Sequence, residues 1–231
     1  MAGDGDDDTR GVGRRNTSTD SDRRSTTGRA TSAETRKGSA AASPMPQVAR
    51  RQPVFHIVLE LYPLKPIDSG EALLRGLAIN RARAARNREA VPIDSLDDVF
   101  TLLDLMAERI AKASGQKKAT SFISELHILG HGNPGQFGIG TYMYDSKALK
   151  RIPKGRTHGY LEDNAAIYLD GCLAAAGAKG KEFMYEIGRV FLGDKHGTIR
   201  GNTGPVIVMG EMTTRDPVSL KYPENVVTPS S

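Results

Sequence analysis

The stretch SELHILGHGNPGQFGIG, residues 124–140, joins an apolar run to an abrupt stop. The run has the length and composition of a β-strand buried on both faces, and we predict a strand over residues 121–129. His131 follows almost directly, and the segment 132–135 after it is rich in glycine and proline, which end strands. This order predicts an imidazole that projects above the edge of a sheet.

The rest of the chain alternates between strand-like and helix-like segments. Apolar runs predict further strands at 53–62, 165–170 and within 198–210, whereas helical spacing of apolar residues predicts helices at 69–89, at 96–113 and after Cys172. The arginines in the first of these helices, Arg81, Arg83, Arg86 and Arg88, are interpreted as a solvated face rather than a nucleic-acid stripe. Strands separated by helices predict an α/β fold in which a mostly parallel central sheet carries helices on both faces.

Composition divides the chain into three parts. Residues 1–50 contain no Leu, Ile, Phe, Tyr or Trp, and we predict a disordered tail there because so little apolar surface cannot offset the entropy of ordering. We assign residues 51–220 to one α/β domain and expect residues 221–231 to be frayed. Because the chain after residue 50 carries 23 basic and 20 acidic residues, and the protein has no Trp, nucleic acid is not an expected partner.

The N-terminus lacks the apolar core of a signal peptide, and no run approaches the ~18 apolar residues of a membrane span. We therefore expect no membrane association. The expected location is the cytoplasm, or outside the cell after export by a specialised secretion system, for which a Ser/Thr-rich leader is suited. A single cysteine, Cys172, excludes an intrachain disulfide.

Cys172 occupies the same kind of position as His131. It follows the predicted strand 165–170 through Gly171. If the two strands are parallel neighbours, both side chains leave one sheet edge, with strand axes roughly 5 Å apart. An imidazole there can accept the thiol proton and later protonate a leaving amine, while the N–H groups of Gly132 and Cys172 face an oxyanion. The alternative is a buried structural cysteine beside a histidine in a turn.

The other four histidines have weaker signals. His56 and His127 lie inside apolar runs and are interpreted as packed side chains. His158 and His196 each precede a glycine in a polar segment and are interpreted as surface turns.

Two segments, LHILGHGNPGQFGIG (126–140) and IYLDGCLAAAGAKGKEF (167–183), resemble the caspase-like cysteine peptidases of clan CD, above all the bacterial CHAT domains. In those domains a His-Gly ends one core strand and a cysteine ends the next. The resemblance implies a three-layer caspase-like fold, with His131 as general base, Cys172 as nucleophile and Gly132 as a backbone donor. Caspases proper have Gln-Ala before the cysteine where this chain has Asp-Gly, so their specificity for aspartate is not implied.

The sequence thus predicts a cysteine endopeptidase that cleaves protein or peptide substrates through a thioester intermediate, needs no metal or cofactor, and is able to process itself near Arg50 and Arg51. The alternative is a catalytically inactive caspase-like interaction or effector module. Asp170 is a candidate either to orient the site or to bind a basic substrate residue, although it equally suits a cap at the strand end. Asp163 and Glu162 are further candidate partners for a basic substrate residue. A basic loop is either solvated or a site for a polyanionic activator; its charged residues are Lys147, Lys150, Arg151, Lys154 and Arg156.

Overall fold

The computed structural model describes residues 55–66, 69–205, 207–209, 211–213 and 217–229. Every described residue belongs to one compact unit, residues 50–231. The predicted disordered tail, 1–50, and the dibasic site at Arg50 and Arg51 lie outside the described residues.

Strands and helices alternate in the first part of the domain, up to its third strand. In chain order the elements are β1 (Ile57–Pro63), α1 (Ser69–Ala84), β2 (Arg88–Ile93), α2 (Leu96–Ser114), β3 (Ile123–Leu129), β4 (Gly132–Asn133), β5 (Gln136–Ile139), β6 (Tyr142–Asp145), α3 (Ser146–Lys150), β7 (Leu161–Asp170), α4 (Gly177–Phe191), β8 (Gly197–Asn202), β9 (Ile207–Met209), β10 (Glu211–Thr213), β11 (Pro217–Tyr222) and β12 (Val226–Pro229).

Seven strands form the central sheet, in the order β12-β11-β8-β7-β3-β1-β2. The five from β2 to β8 are mutually parallel, while β11 runs antiparallel to β8 and β12 antiparallel to β11. The predicted α/β class with a mostly parallel sheet is therefore confirmed. Among the described residues, no helix has both the length and the hydropathy to cross a membrane.

The two faces of the sheet differ in chemistry. On one face, the strand register places Leu59, Leu126, Ile167 and Ile199 side by side, and these residues join the main core together with α2 and α4. The next row along the strands, on the opposite face, is polar and contains Glu60, His127, Tyr168 and Arg200. Helix α1 packs against that face, where Leu74 and Ala78 meet Tyr62 and Leu129.

Helix α2 begins and ends as its sequence predicts. The Ser95 hydroxyl accepts a hydrogen bond from the Asp98 N–H at 3.2 Å, which caps the first turn. The carboxylate of Asp98 reaches Asp94 N–H at 2.9 Å rather than the backbone of Ser95. Gly115 ends the helix in the left-handed conformation, with φ of 69°.

The segment after α1 differs from its prediction. The helix stops at Ala84 instead of residue 89, and Arg88–Ile93 forms β2, a parallel edge strand beside β1. The arginines of this region were expected on a solvated face, but the guanidinium groups of Arg81 and Arg88 bind the fully buried carboxylate of Glu60. The prediction of a solvated face is therefore wrong for these two residues.

The C-terminal residues also differ from the frayed tail predicted over residues 221–231. Lys221 and Tyr222 complete β11, and β12 pairs with it as an antiparallel hairpin. Tyr222 anchors the hairpin because its buried ring packs against Tyr185 and its hydroxyl donates to the Gly193 carbonyl at 2.9 Å. A buried aromatic residue thus helps strand pairing to hold a segment whose composition does not predict a strand.

Candidate active site

His131 and Cys172 leave the sheet at the same edge. Strands β3 and β7 are parallel neighbours, and the last pair in their register is Leu129 with Asp170. Each candidate residue lies two positions beyond that pair, and the Gly130 N–H still donates to the Asp170 carbonyl at 3.3 Å. The predicted adjacency of the two strand ends is confirmed.

Glycine residues allow the two segments to touch backbone to backbone. A Cβ placed on Gly132 would overlap the Cys172 carbonyl oxygen and would lie 3.0 Å from its carbonyl carbon. A Cβ on Gly171 would lie 3.3 Å from the Gly130 carbonyl carbon and 2.8 Å from the Phe137 ring. Distances below about 3.4 Å leave no room for a side chain, so the sequence needs glycine at both positions to bring the histidine segment against the cysteine segment.

The cysteine loop is fixed by the neighbouring strand β8. Half-buried Cys172 is followed by Leu173, which adopts a φ of 54° and donates its N–H to the Gly204 carbonyl at 3.1 Å. The Asn202 side chain donates to the Gly171 carbonyl at 3.0 Å, and the Ala175 N–H donates to the Asn202 carbonyl at 3.1 Å. Hydrogen bonds therefore hold the backbone on both sides of the thiol.

His131 is held between the end of β3 and a small antiparallel sheet formed by β4, β5 and β6. Its carbonyl accepts a hydrogen bond from the Gly138 N–H at 2.7 Å. The side chain is 43% exposed, and its Nε2 lies 3.6 Å from Oε1 of Glu71, a residue only 2% exposed in the first turn of α1. A buried carboxylate from another element therefore lies within ion-pair range of the imidazole.

Sequence reasoning missed Glu71. It lies 60 positions before His131, and an acidic residue in the first turn of a helix is common because it complements the helix dipole. The sequence has no signal that separates this glutamate from an ordinary helix-start residue.

The backbones of Gly132 and Cys172, predicted to line an oxyanion hole, are in direct contact at this edge. Their N–H groups belong to the two segments that a bound carbonyl would have to approach. Their assignment as oxyanion donors stays a prediction.

Asp170 lies beneath the candidate site in a buried polar cluster. Its Oδ2 is 2.9 Å from Nδ1 of His127 and 3.6 Å from Arg81, and Asp170 is 7% exposed. Arg81 also lies 3.4 Å from Glu60. The carboxylate thus has internal partners on the α1 side of the sheet, and a role in recognising substrate stays a prediction.

Three members of this cluster have the donor types of a metal site. One ligand atom each from Glu60, His127 and Asp170 falls within 4.8 Å of the others. Two arginines already neutralise the carboxylates, and the pKa of His127 is raised: burial lowers it, but the hydrogen bond and the charge of Asp170 outweigh burial. Because a metal requires neutral imidazole, these groups fit an internal ion-pair network better than a cation site.

The structure does not bring Asp163 to the candidate site. It was expected just before the strand, but β7 begins at Leu161 and Asp163 lies in its first part, where Oδ1 accepts from the His196 N–H at 3.0 Å. The stretch of β7 from Ala166 to Asp170 alone spans about 13 Å at ~3.3 Å per residue. Asp163 therefore belongs to the opposite end of the strand from Cys172.

The other histidines are placed mostly as predicted. His127 is buried and stacks on Tyr168, with ring centroids 4.1 Å apart, so its interpretation as a packed side chain is confirmed. His158 and His196 are exposed, also as predicted. His56 is the exception because its side chain is 59% exposed and its Nδ1 lies 2.8 Å from Glu162.

The basic loop is partly neutralised by acidic residues. Its ion pairs are Lys150 with Glu182 at 2.6 Å, Lys154 with Asp194 at 2.7 Å and Arg156 with Asp104 at 3.7 Å. Lys147 and Lys150 line a cleft of about 340 Å³ together with Lys179, but Asp145 and Glu182 line it as well. A polyanion site on this loop stays a prediction.

Comparisons with known proteins point to one family. Residues 84–194 match the model of a family described as a domain of unknown function, DUF4347. No curated protein and no solved structure matches the chain. The matched segment is similar to that family from the end of α1 to just beyond α4, and it includes both His131 and Cys172.

Proposed function

We propose that the protein is a cysteine endopeptidase with a caspase-like fold. The observation that supports this most strongly is the backbone contact between Gly132 and Cys172 at the adjoining ends of β3 and β7. It puts a half-exposed imidazole and the chain's single thiol on one sheet edge. The carboxyl edge of a parallel sheet, with helices on both faces, is where folds of this class hold their reactive groups.

In the proposed reaction, His131 takes the proton of the Cys172 thiol as the sulfur attacks the carbonyl carbon of the scissile peptide bond. The oxyanion that forms is stabilised by the N–H groups of Gly132 and Cys172. His131 then gives its proton to the leaving amine, and a thioester joins the acyl fragment to the sulfur. Water, deprotonated by His131, attacks the thioester, and the carboxylic acid and the free thiol are released.

The caspase-like assignment has support beyond the two reactive residues. Five parallel strands carry α1 on one face and α2 with α4 on the other, which gives three layers. The loop after Cys172 leads through small residues into α4. The candidate histidine and cysteine follow strands that are adjacent in the sheet, as the resemblance to clan CD requires.

Hydrolysis of a fluorogenic peptide library by the purified full chain tests the proposal. We expect activity that falls by about 10²-fold or more in Cys172→Ala and in His131→Ala, since nucleophile and base each contribute on that scale. His196→Ala, which changes an exposed histidine away from this edge, is the matched control and should keep full activity. Thermal unfolding of each variant separates loss of chemistry from loss of fold.

The same experiment addresses the interaction-module alternative. A folded chain that cleaves no library peptide, and whose Cys172 forms no adduct with peptidyl acyloxymethyl ketones, would contradict the peptidase proposal and favour the inactive module. Cys172 is the single cysteine, so mass spectrometry of the intact protein assigns any thioether adduct to it.

A further inference from the structure

Glu71 is buried in contact range of the candidate base. Its side chain is 2% exposed, and its Oε1 lies 3.6 Å from Nε2 of His131. The His131 side chain is 43% exposed as a whole, yet Nε2 itself is shielded from solvent. The exposed part of the side chain therefore belongs to other atoms.

The packing of α1 fixes where this carboxylate sits. Leu74, one turn after Glu71, contacts the same small cluster as Leu129, the last residue of β3. Ala78, one further turn along the helix, belongs to that cluster too. The face of α1 that carries Glu71 is thus docked on the end of the strand from which His131 emerges.

Glu71 also occupies a favourable position in its helix. It lies in the first turn of α1, where the positive end of the helix dipole stabilises an anion. A buried carboxylate is retained when it has such compensation and a polar partner. Asp170, the other carboxylate near this edge, is hydrogen-bonded to His127, which belongs to the polar row on the α1 side of the sheet.

We infer that Glu71 is a positioning residue for His131, an inference that rests on the proposed function. It holds the imidazole with Nε2 turned toward α1, so that Nε2–H points at the carboxylate and Nδ1 is the atom that exchanges a proton with Cys172. We expect this carboxylate contact, at 3.6 Å, to favour the tautomer of the neutral ring that carries its proton on Nε2. When Nδ1 takes the thiol proton, the carboxylate stabilises the resulting imidazolium, as acidic partners of catalytic histidines do.

The test combines a spectrum with kinetics. Nitrogen-15 NMR of histidine-labelled Cys172→Ala protein reports the tautomer without any need for activity, and the spectrum of a second sample that also carries His131→Gln assigns the signal. We expect His131 to be protonated at Nε2 near pH 8. Glu71→Ala should produce a mixture of tautomers, while Glu71→Gln should keep the Nε2–H form because an amide oxygen can still accept.

The second measurement is the peptidase kinetics of the Glu71 variants in the chain that retains Cys172. Glu71→Ala should lower kcat at least tenfold with KM changed less than twofold, Glu71→Gln should lower kcat by a smaller factor, and Glu71→Asp should restore part of the loss. Glu108→Gln, at an exposed position on α2, is the matched control. Glu71→Gln keeps the side-chain volume, so the inference remains testable if the alanine variant unfolds.

Two results would overturn the inference. One is an Nδ1–H tautomer in the chain with Glu71 intact, and the other is a tautomer and a kcat that do not change in Glu71→Ala. These outcomes differ from failure of the proposed function, which appears as a folded protein without peptidase activity whatever the tautomer.

Discussion

Substituting alanine for Gly132 tests the close contact on which the candidate site depends. The added methyl group would overlap the Cys172 carbonyl oxygen, lie 3.0 Å from its carbonyl carbon and 3.2 Å from the Ala174 Cβ. Two of these three atoms belong to the backbone and cannot rotate away. Gly132 has no left-handed φ, so the cost of the substitution is steric.

Overpacking of this kind costs about 1–3 kcal/mol. Because the obstacle is backbone, we expect a value near the top of that range, about 2–3 kcal/mol, and a melting temperature lower by about 4–12 °C for a domain of this size. The displaced cysteine segment should also reduce peptidase activity. Thermal and urea unfolding of Gly132→Ala measure the change.

Gly76 provides the matched control. It lies within α1, and a Cβ there would meet no atom of the described residues within 4 Å. Alanine is better than glycine in a helix by about 0.8–1.0 kcal/mol, so Gly76→Ala should raise stability slightly. A Gly132→Ala protein as stable and as active as the unmodified chain would refute the steric reasoning.

Three further predictions concern the polar cluster and the basic loop. Because the pKa of His127 is raised in the folded protein, the protonated imidazole stabilises the fold. This contribution is fully present below the ordinary pKa of 6.5 and is lost as the pH rises through the folded-state pKa. Urea unfolding across pH 5–9 should show the loss of stability, and His127→Gln should make the free energy of unfolding less dependent on pH. Arg88→Ala leaves the buried carboxylate of Glu60 with Arg81 as its remaining basic partner. Because the Arg88 side chain is 22% exposed, we expect the free energy of unfolding to fall by about 2 kcal/mol rather than by the ~3–5 kcal/mol of a fully buried pair. Arg86→Ala changes an exposed arginine and should cause no such loss. A polyanion site on the loop 147–156 requires inositol hexakisphosphate to raise the melting temperature, with the rise lost in Lys147→Ala, and an unchanged melting temperature would dispose of that site.

The elements best predicted from the sequence are those with a clear pattern of apolar residues. β3 and the second half of β7 are buried on both faces, so their composition marks them as strands and their last residues mark the sheet edge. Helix α2 is equally visible because its buried residues recur at helical spacing between Ser95 and Gly115. These elements suffice to bring His131 and Cys172 to one edge.

Edge elements were missed because their residues resemble those of loops. β2 reads REAVPI, with two charged residues and a proline, and it becomes a strand only because β1 offers it hydrogen bonds. β12 has four exposed residues and depends on β11 in the same way. A pairing partner outside the segment decides whether it forms a strand, and the segment's own pattern does not contain that partner.

Local sequence patterns also do not predict the polar contacts of the candidate site. Glu60 reads as part of an apolar run, yet it is fully buried and bound by Arg81 and Arg88 from two other elements. Glu71 reaches His131 from a helix packed across the sheet. Ion pairs between residues tens of positions apart follow from topology, which the sequence revealed only in part.

Alkylation of Cys172 by iodoacetamide tests most directly whether His131 and Cys172 act as a pair. The rate at pH 6.5, followed by intact mass, reports one thiol because the chain has one cysteine. A thiol of ordinary pKa, about 8.5, reacts slowly at that pH. We predict that the unmodified chain reacts at least tenfold faster than His131→Gln and equals a His196→Gln control, whereas equal slow rates in all three proteins would contradict the account.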